Sequence, residues 1–87
     1  MKSKFANIVF EFSTQEETSD FVKILNRVNV QYTTFCDKYG NETGVAVYHA
    51  FTLSKLARLY NAVNLLHELR GTEAYKSQVN FICRDIF

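Results

Sequence analysis

The sequence has no proline, only two cysteines and a formal net charge of just +1. Without proline, and without a low-complexity run, nothing marks a linker, so the 87 residues read as one domain, 1–87. A chain this short buries only about two thirds of the surface it exposes when unfolded, which leaves no room for a second core. Two cysteines are too few for a disulfide framework and suit a reducing compartment. The ten basic residues are scattered, so no strong field gathers phosphates or an anionic membrane. No run approaches the ~20 apolar residues of a membrane span. Asn7 and Glu11 interrupt the first apolar residues too soon for a signal peptide. The expectation is a cytoplasmic protein with no membrane partner.

Recognisable chemistry is also missing. There is no Gly-rich phosphate loop, nucleophile elbow or paired-carboxylate motif. Cys36, Cys83, His49 and His67 are the only soft or imidazole ligands, and none has close metal-ligand spacing. The expectation is two buried structural thiols and two partly buried imidazoles, with no catalytic residue, cofactor or metal, and therefore no enzyme.

What is present is apolar material, 47% of residues including eight Phe and five Tyr, in two periodicities. From Thr52 to Gly71 the period is helical: Leu56, Leu59, Tyr60, Val63 and Leu66 share a face, Thr52 caps the start and Gly71 closes the end. A second helix follows Ser13-Thr14-Gln15-Glu16-Glu17, two overlapping capping boxes, and buries Phe21, Ile24, Leu25 and Val28.

Period-two alternation predicts four strands. Ala6, Ile8, Phe10 and Phe12 form the apolar face of the first, and Val30 to Cys36 with Val45 to Phe51 form a hairpin around Asp37–Gly44. That loop length pairs Cys36 with Val45, Thr34 with Val47, Tyr32 with His49 and Val30 with Phe51. Val79, Phe81, Cys83 and Phe87 give a last strand, after a loop or single turn over 72–78.

The order β-α-β-β-α-β predicts an α+β fold, a ferredoxin-like two-layer sandwich with two helices on one face of a four-stranded antiparallel sheet, ordered 4-1-3-2. Cys36 and Cys83 then lie on opposite edges, three strand spacings of about 4.8 Å apart, out of reach of a shared metal or a disulfide.

The uncovered side of that sheet carries Asn7, Val9, Glu11, Gln31, Thr33, Phe35, Ala46, Tyr48, Ala50, Asn80, Ile82 and Arg84. Polar groups, Arg84 among them, ring a centre of Val9, Phe35, Tyr48 and Ile82, the anatomy of an interface. The plain alternative is a solvated face, since solvent-facing strand positions also favour aromatic and branched residues. A second candidate is the row Arg58, Ala62, Leu65 and Leu69 on the long helix, unless the core stripe is simply wide and only Leu65 is exposed. A third is the edge of the second strand, Val30–Cys36, which has no Lys, Pro or acidic residue to discourage pairing.

These features predict a small non-catalytic protein-interaction module, a regulator or inhibitor that covers a partner's surface, as a homodimer. Compact chains of this kind are common among phage and mobile-element accessory proteins, an analogy that carries no residue-level argument. The alternative is an RNA or single-stranded nucleic-acid-binding regulator that stacks bases on Tyr48 and Phe35, with Lys38 and Arg84 supplying charge.

Overall fold

Thr52 does open the longest helix: its hydroxyl accepts from the Lys55 backbone N–H at 3.3 Å. In the computed structural model, which describes residues 4, 5 and 7–87 and the side chains from residue 7 onward, that helix runs Leu53–Glu68. The elements in chain order are β1 (Lys4–Phe5), β2 (Ile8–Glu11), α1 (Gln15–Arg27), β3 (Gln31–Cys36), β4 (Glu42–Tyr48), β5 (Phe51–Thr52), α2 (Leu53–Glu68) and α3 (Ala74–Phe81). A π-helical segment, Ile82–Ile86, follows α3. The described residues form a mixed α+β fold with three α-helices and antiparallel sheet. Ala6, expected on the first strand, lies outside the described residues.

Of the two overlapping capping boxes the chain uses the N-cap half of the second, with Glu17 bonded to the Thr14 hydroxyl in place of its backbone N–H. Thr14 accepts from the Glu17 N–H at 3.1 Å and its hydroxyl donates to Glu17 Oε1 at 3.1 Å. The helix ends where Asn29 takes φ 58° and Val30 N–H returns to the Leu25 carbonyl at 3.0 Å. Gly71, at φ 84°, closes the turn after α2.

β2, β4 and β3 form a three-stranded sheet in that order, and β1 pairs with β5 alone. The break between the two pieces falls at Asn7, whose φ of 59° no extended strand accommodates. The hairpin is tighter than expected: Tyr32 pairs with Val47 and Thr34 with Val45, two positions from the predicted register. A shift of two keeps every side chain on its predicted face. The turn explains it, because Asp37 Oδ1 accepts from the Tyr39 and Asn41 N–H groups at 2.8 and 3.0 Å, and β4 can begin at Glu42.

The predicted fourth strand is not formed, and the four-stranded ferredoxin-like sheet with it. Residues 74–86 are helical because Tyr75, Val79, Ile82 and Ile86 repeat at four, three and four, and that stripe packs into the core, with Ile82 and Ile86 fully buried. The alternation read through Val79, Phe81, Cys83 and Phe87 competed with it and lost; Asp85 already broke it. β2 is consequently an edge instead of a central strand.

One core serves the molecule. Phe10, Val45 and Val47 of the sheet meet Phe21, Ile24 and Leu25 of α1, Leu59, Val63 and Leu66 of α2, and Phe51, Ile82 and Ile86. The rings of Phe10 and Phe21 lie 4.8 Å apart, as do those of Phe10 and Tyr60, although Tyr60, expected on the buried stripe of the long helix, stays 42% exposed at the edge of the core. All of this sits on one side of the three-stranded sheet.

Candidate functional site

Strand alternation puts Glu11, Val9, Gly44, Ala46, Tyr48, Phe35, Thr33 and Gln31 on the side away from the helices. Three rows cross this face: Glu11–Gly44–Phe35, Val9–Ala46–Thr33, and Tyr48–Gln31. Val9, Phe35 and Tyr48 remain 51%, 46% and 43% exposed. Those are large fractions for side chains of this size on a sheet.

The centre of the face is built from small residues with large neighbours. A Cβ on Gly44 would stand 3.3 Å from Phe35 Cβ and 3.4 Å from its ring, so the ring lies against bare backbone. Ala46 is buried at the centre of the middle row. Tyr48 Oη donates to Thr33 Oγ1 at 3.2 Å across the strands, which fixes the ring toward β3. Two aromatic rims therefore flank a shallow floor of Gly44 and Ala46.

The other residues expected at this centre lie elsewhere. Ile82 belongs to the core, because the segment that carries it is helical. Arg84 is exposed on the same π-helical segment, near Asn80 and Asp85, and supplies no charge to the sheet. Ala50 is exposed beyond the end of β4. β2, β3 and β4 contain no Lys or Arg, and Glu11 lies on the open side, so the face is neutral to acidic.

The helix row resolves as a wide core stripe. Ala62 is buried, and its carbonyl accepts from Gln78 Nε2 of α3 at 2.9 Å. Leu69 is half-buried in the turn, where its carbonyl accepts from Thr72 Oγ1 at 2.6 Å. Leu65 alone stays 43% exposed. The free side of β3 is flanked by α1, and the groove between them is mostly polar, with Gln15, Glu16, Ser19 and Glu42 beside Val22 and Tyr32.

The imidazoles are separated. His49 meets the rings of Phe51 and Phe87 edge-on at 4.8 and 5.6 Å. His67 sits edge-on to Phe12 at 5.3 Å, with Nε2 3.6 Å from Glu17 Oε2. Cys36, expected buried, is exposed, because the bulge between Phe35 and Cys36 ends the regular pairing. Cys83 is half-buried, and burial raises its thiol pKa against the opposing pull of Arg27. Among the described residues no three His, Cys, Asp or Glu side chains converge on a point that could hold a metal ion.

Sequence reasoning missed a cluster at the helical layer. Asp20, buried within α1, points toward Arg70, and Lys23, Arg27 and Tyr75 stand around it. The spacing Asp20, Lys23, Ile24 and Arg27 on one helical face was legible; its facing wall, α3, was not. Compared with protein-family models, with curated proteins and with solved structures, the chain matches none.

Proposed function

We propose that the protein is a non-catalytic protein-interaction module, a regulator or inhibitor that covers a partner's surface, and that a second copy occupies its open sheet face. One observation carries this reading: Val9, Phe35 and Tyr48 stay about half exposed on a sheet face that no helix among the described residues covers. A shallow floor between two aromatic rims suits the interdigitation of a second sheet, which packs about 10 Å away in face-to-face sandwiches.

Size sets the strength. Three strands about 14 Å across, the longest about 24 Å, offer a footprint of at most roughly 340 Å² per copy, below that of a standard stable interface. Association is therefore reversible, and a partner with a better-fitting apolar surface displaces the second copy. Such exchange is how a small module reports or blocks a partner. The nucleic-acid alternative keeps the two rings but has no cation on the strands that present them, and phosphate contacts supply most of the affinity in such complexes.

A dilution series followed by amide NMR tests the reading. Signals of Val9, Thr33, Phe35, Ala46 and Tyr48 are expected to shift with protein concentration, while those of α1 stay fixed. Concentration-independent spectra, with shifts at Tyr48 and Phe35 on adding a single-stranded oligonucleotide, would favour the alternative.

A further inference from the structure

On the side of the molecule away from the open sheet face, α1, the turn after α2 and α3 enclose a cleft of about 420 Å³ lined by Asp20, Lys23, Ile24, Arg27, Arg70 and Tyr75, with Gly71 and Val79. That volume falls in the ordinary range for small-molecule sites, about 300 to 1,000 Å³. Its wall is mixed in a definite way: Ile24 and Val79 are apolar, Tyr75 adds a half-buried ring, and three cations stand at the rim against one carboxylate.

The carboxylate is the informative group. Asp20 is only 8% exposed, and its Oδ2 has no hydrogen-bond partner. The nearest cation, Arg70 Nε, lies 3.6 Å away, close enough for an ion pair and too far for a hydrogen bond. A buried carboxylate oxygen left without a donor is costly, and native proteins seldom leave one so. The arginine that covers it is almost half exposed, with solvent on its outer side. Beside it, burial, then the charge of Asp20 and a hydrogen bond to that carboxylate, raise the pKa of the Tyr75 phenol to about 12, so the phenol serves part of the carboxylate while Oδ2 stays without a partner. Lys23 and Arg27, both exposed, have no carboxylate partner among the described residues.

We propose that this cleft binds a nucleoside monophosphate-type ligand: a phosphate monoester held by Lys23, Arg27 and Arg70, a hydroxyl or amino donor on Asp20, and a flat ring between Tyr75, Ile24 and Val79. The charges match, since three cations and one carboxylate leave two positive charges, and a phosphate monoester carries about 1.5 to 2 negative charges at neutral pH. Arg70 moves from Asp20 to the phosphate as the ligand's donor replaces it. This site is independent of the sheet face, and either stands if the other fails.

Titration of the labelled full chain with AMP, ribose 5-phosphate, adenosine and inorganic phosphate, read by amide NMR, tests it. AMP is expected to give saturable shifts confined to residues 20–27, 70–71 and 75–79, with ribose 5-phosphate and adenosine weaker and inorganic phosphate weakest at the same residues. The exposed double change Lys23→Glu with Arg27→Glu is expected to weaken AMP binding at least tenfold and leave the rest of the spectrum unchanged. Asp20→Asn is expected to weaken AMP and adenosine while sparing inorganic phosphate. The proposal is overturned if AMP gives no saturable shift below about 1 mM, if the shifts survive the charge reversal, or if inorganic phosphate binds as tightly as AMP.

Discussion

The middle of β4, residues 44–47, is buried on both faces, by opposite means. Val45 and Val47 on one side are fully buried under α1, α2 and the C-terminal helical segment. Gly44 and Ala46 on the other are buried because they are small and stand among larger strand neighbours: Phe35 lies against Gly44, and Val9 is paired beside Ala46. The inner face has a layer of its own; the outer borrows cover from groups that stay half in water. Burial of a strand is thus no proof that its face is finished, and the large side chains that provide the cover are the ones left available for a partner.

The largest effect in breaking this comparison belongs to the inner face. Phe21→Ala removes a fully buried ring that touches Phe10 and Phe12, and is expected to cost about 3–5 kcal/mol in chemical denaturation. For a domain of 87 residues that is a large share of the whole stability.

Gly44→Ala comes next and probes the outer face. The new methyl meets Phe35 Cβ at 3.3 Å and its ring at 3.4 Å, so a loss of about 1–3 kcal/mol is expected, recovered only in part when Phe35→Ala removes the ring and leaves the Cβ. Additive losses in that double-mutant cycle would show that the ring does not lie on the glycine.

A pH scan sharpens the contrast from the helical side. Tyr75 has its pKa raised from 10.0 to about 12, chiefly by burial and then by Asp20, so the folded state holds a proton that the unfolded chain releases. The associated stability is complete below pH 10 and is lost as pH rises toward about 12. The slope is at most about 1.4 kcal/mol per pH unit, and less here because solvent screens a partly exposed phenol. Tyr75→Phe is expected to flatten the alkaline limb of the stability profile relative to the parent chain.

The smallest change in stability is expected on the rim itself. Phe35→Ser leaves the inner core untouched and should alter monomer stability by no more than about 1 kcal/mol, while weakening self-association. An effect as large as that of Phe21→Ala would mean that the ring serves the fold rather than a partner.

Much of the architecture was legible because its signals are local. Thr52, Gly71, the Thr14–Glu17 box and the alternation of β2, β3 and β4 each depend on a few neighbouring residues, and each appears in the structure. Face assignment survived the register error, since a slip of two residues preserves sidedness. The C-terminal segment was not legible in the same way: a short apolar run with Ile82, Ile86, Val79 and Phe81 satisfies both periods in part, and only packing against α2 and the core decides between them. That one choice displaced Ile82 and Arg84 from the expected interface and created the wall of the Asp20 cleft. Val9, Phe35 and Tyr48 keep their predicted side because their positions depend on strand alternation alone.

Sedimentation equilibrium over a wide concentration range tests the central claim most directly, with the parent chain beside a Phe35→Ser, Tyr48→Ser variant. Reversible dimerisation of the parent, abolished in a variant that stays folded, is the expected result. A parent chain that is monomeric at every concentration, or a dimer indifferent to both substitutions, would contradict it.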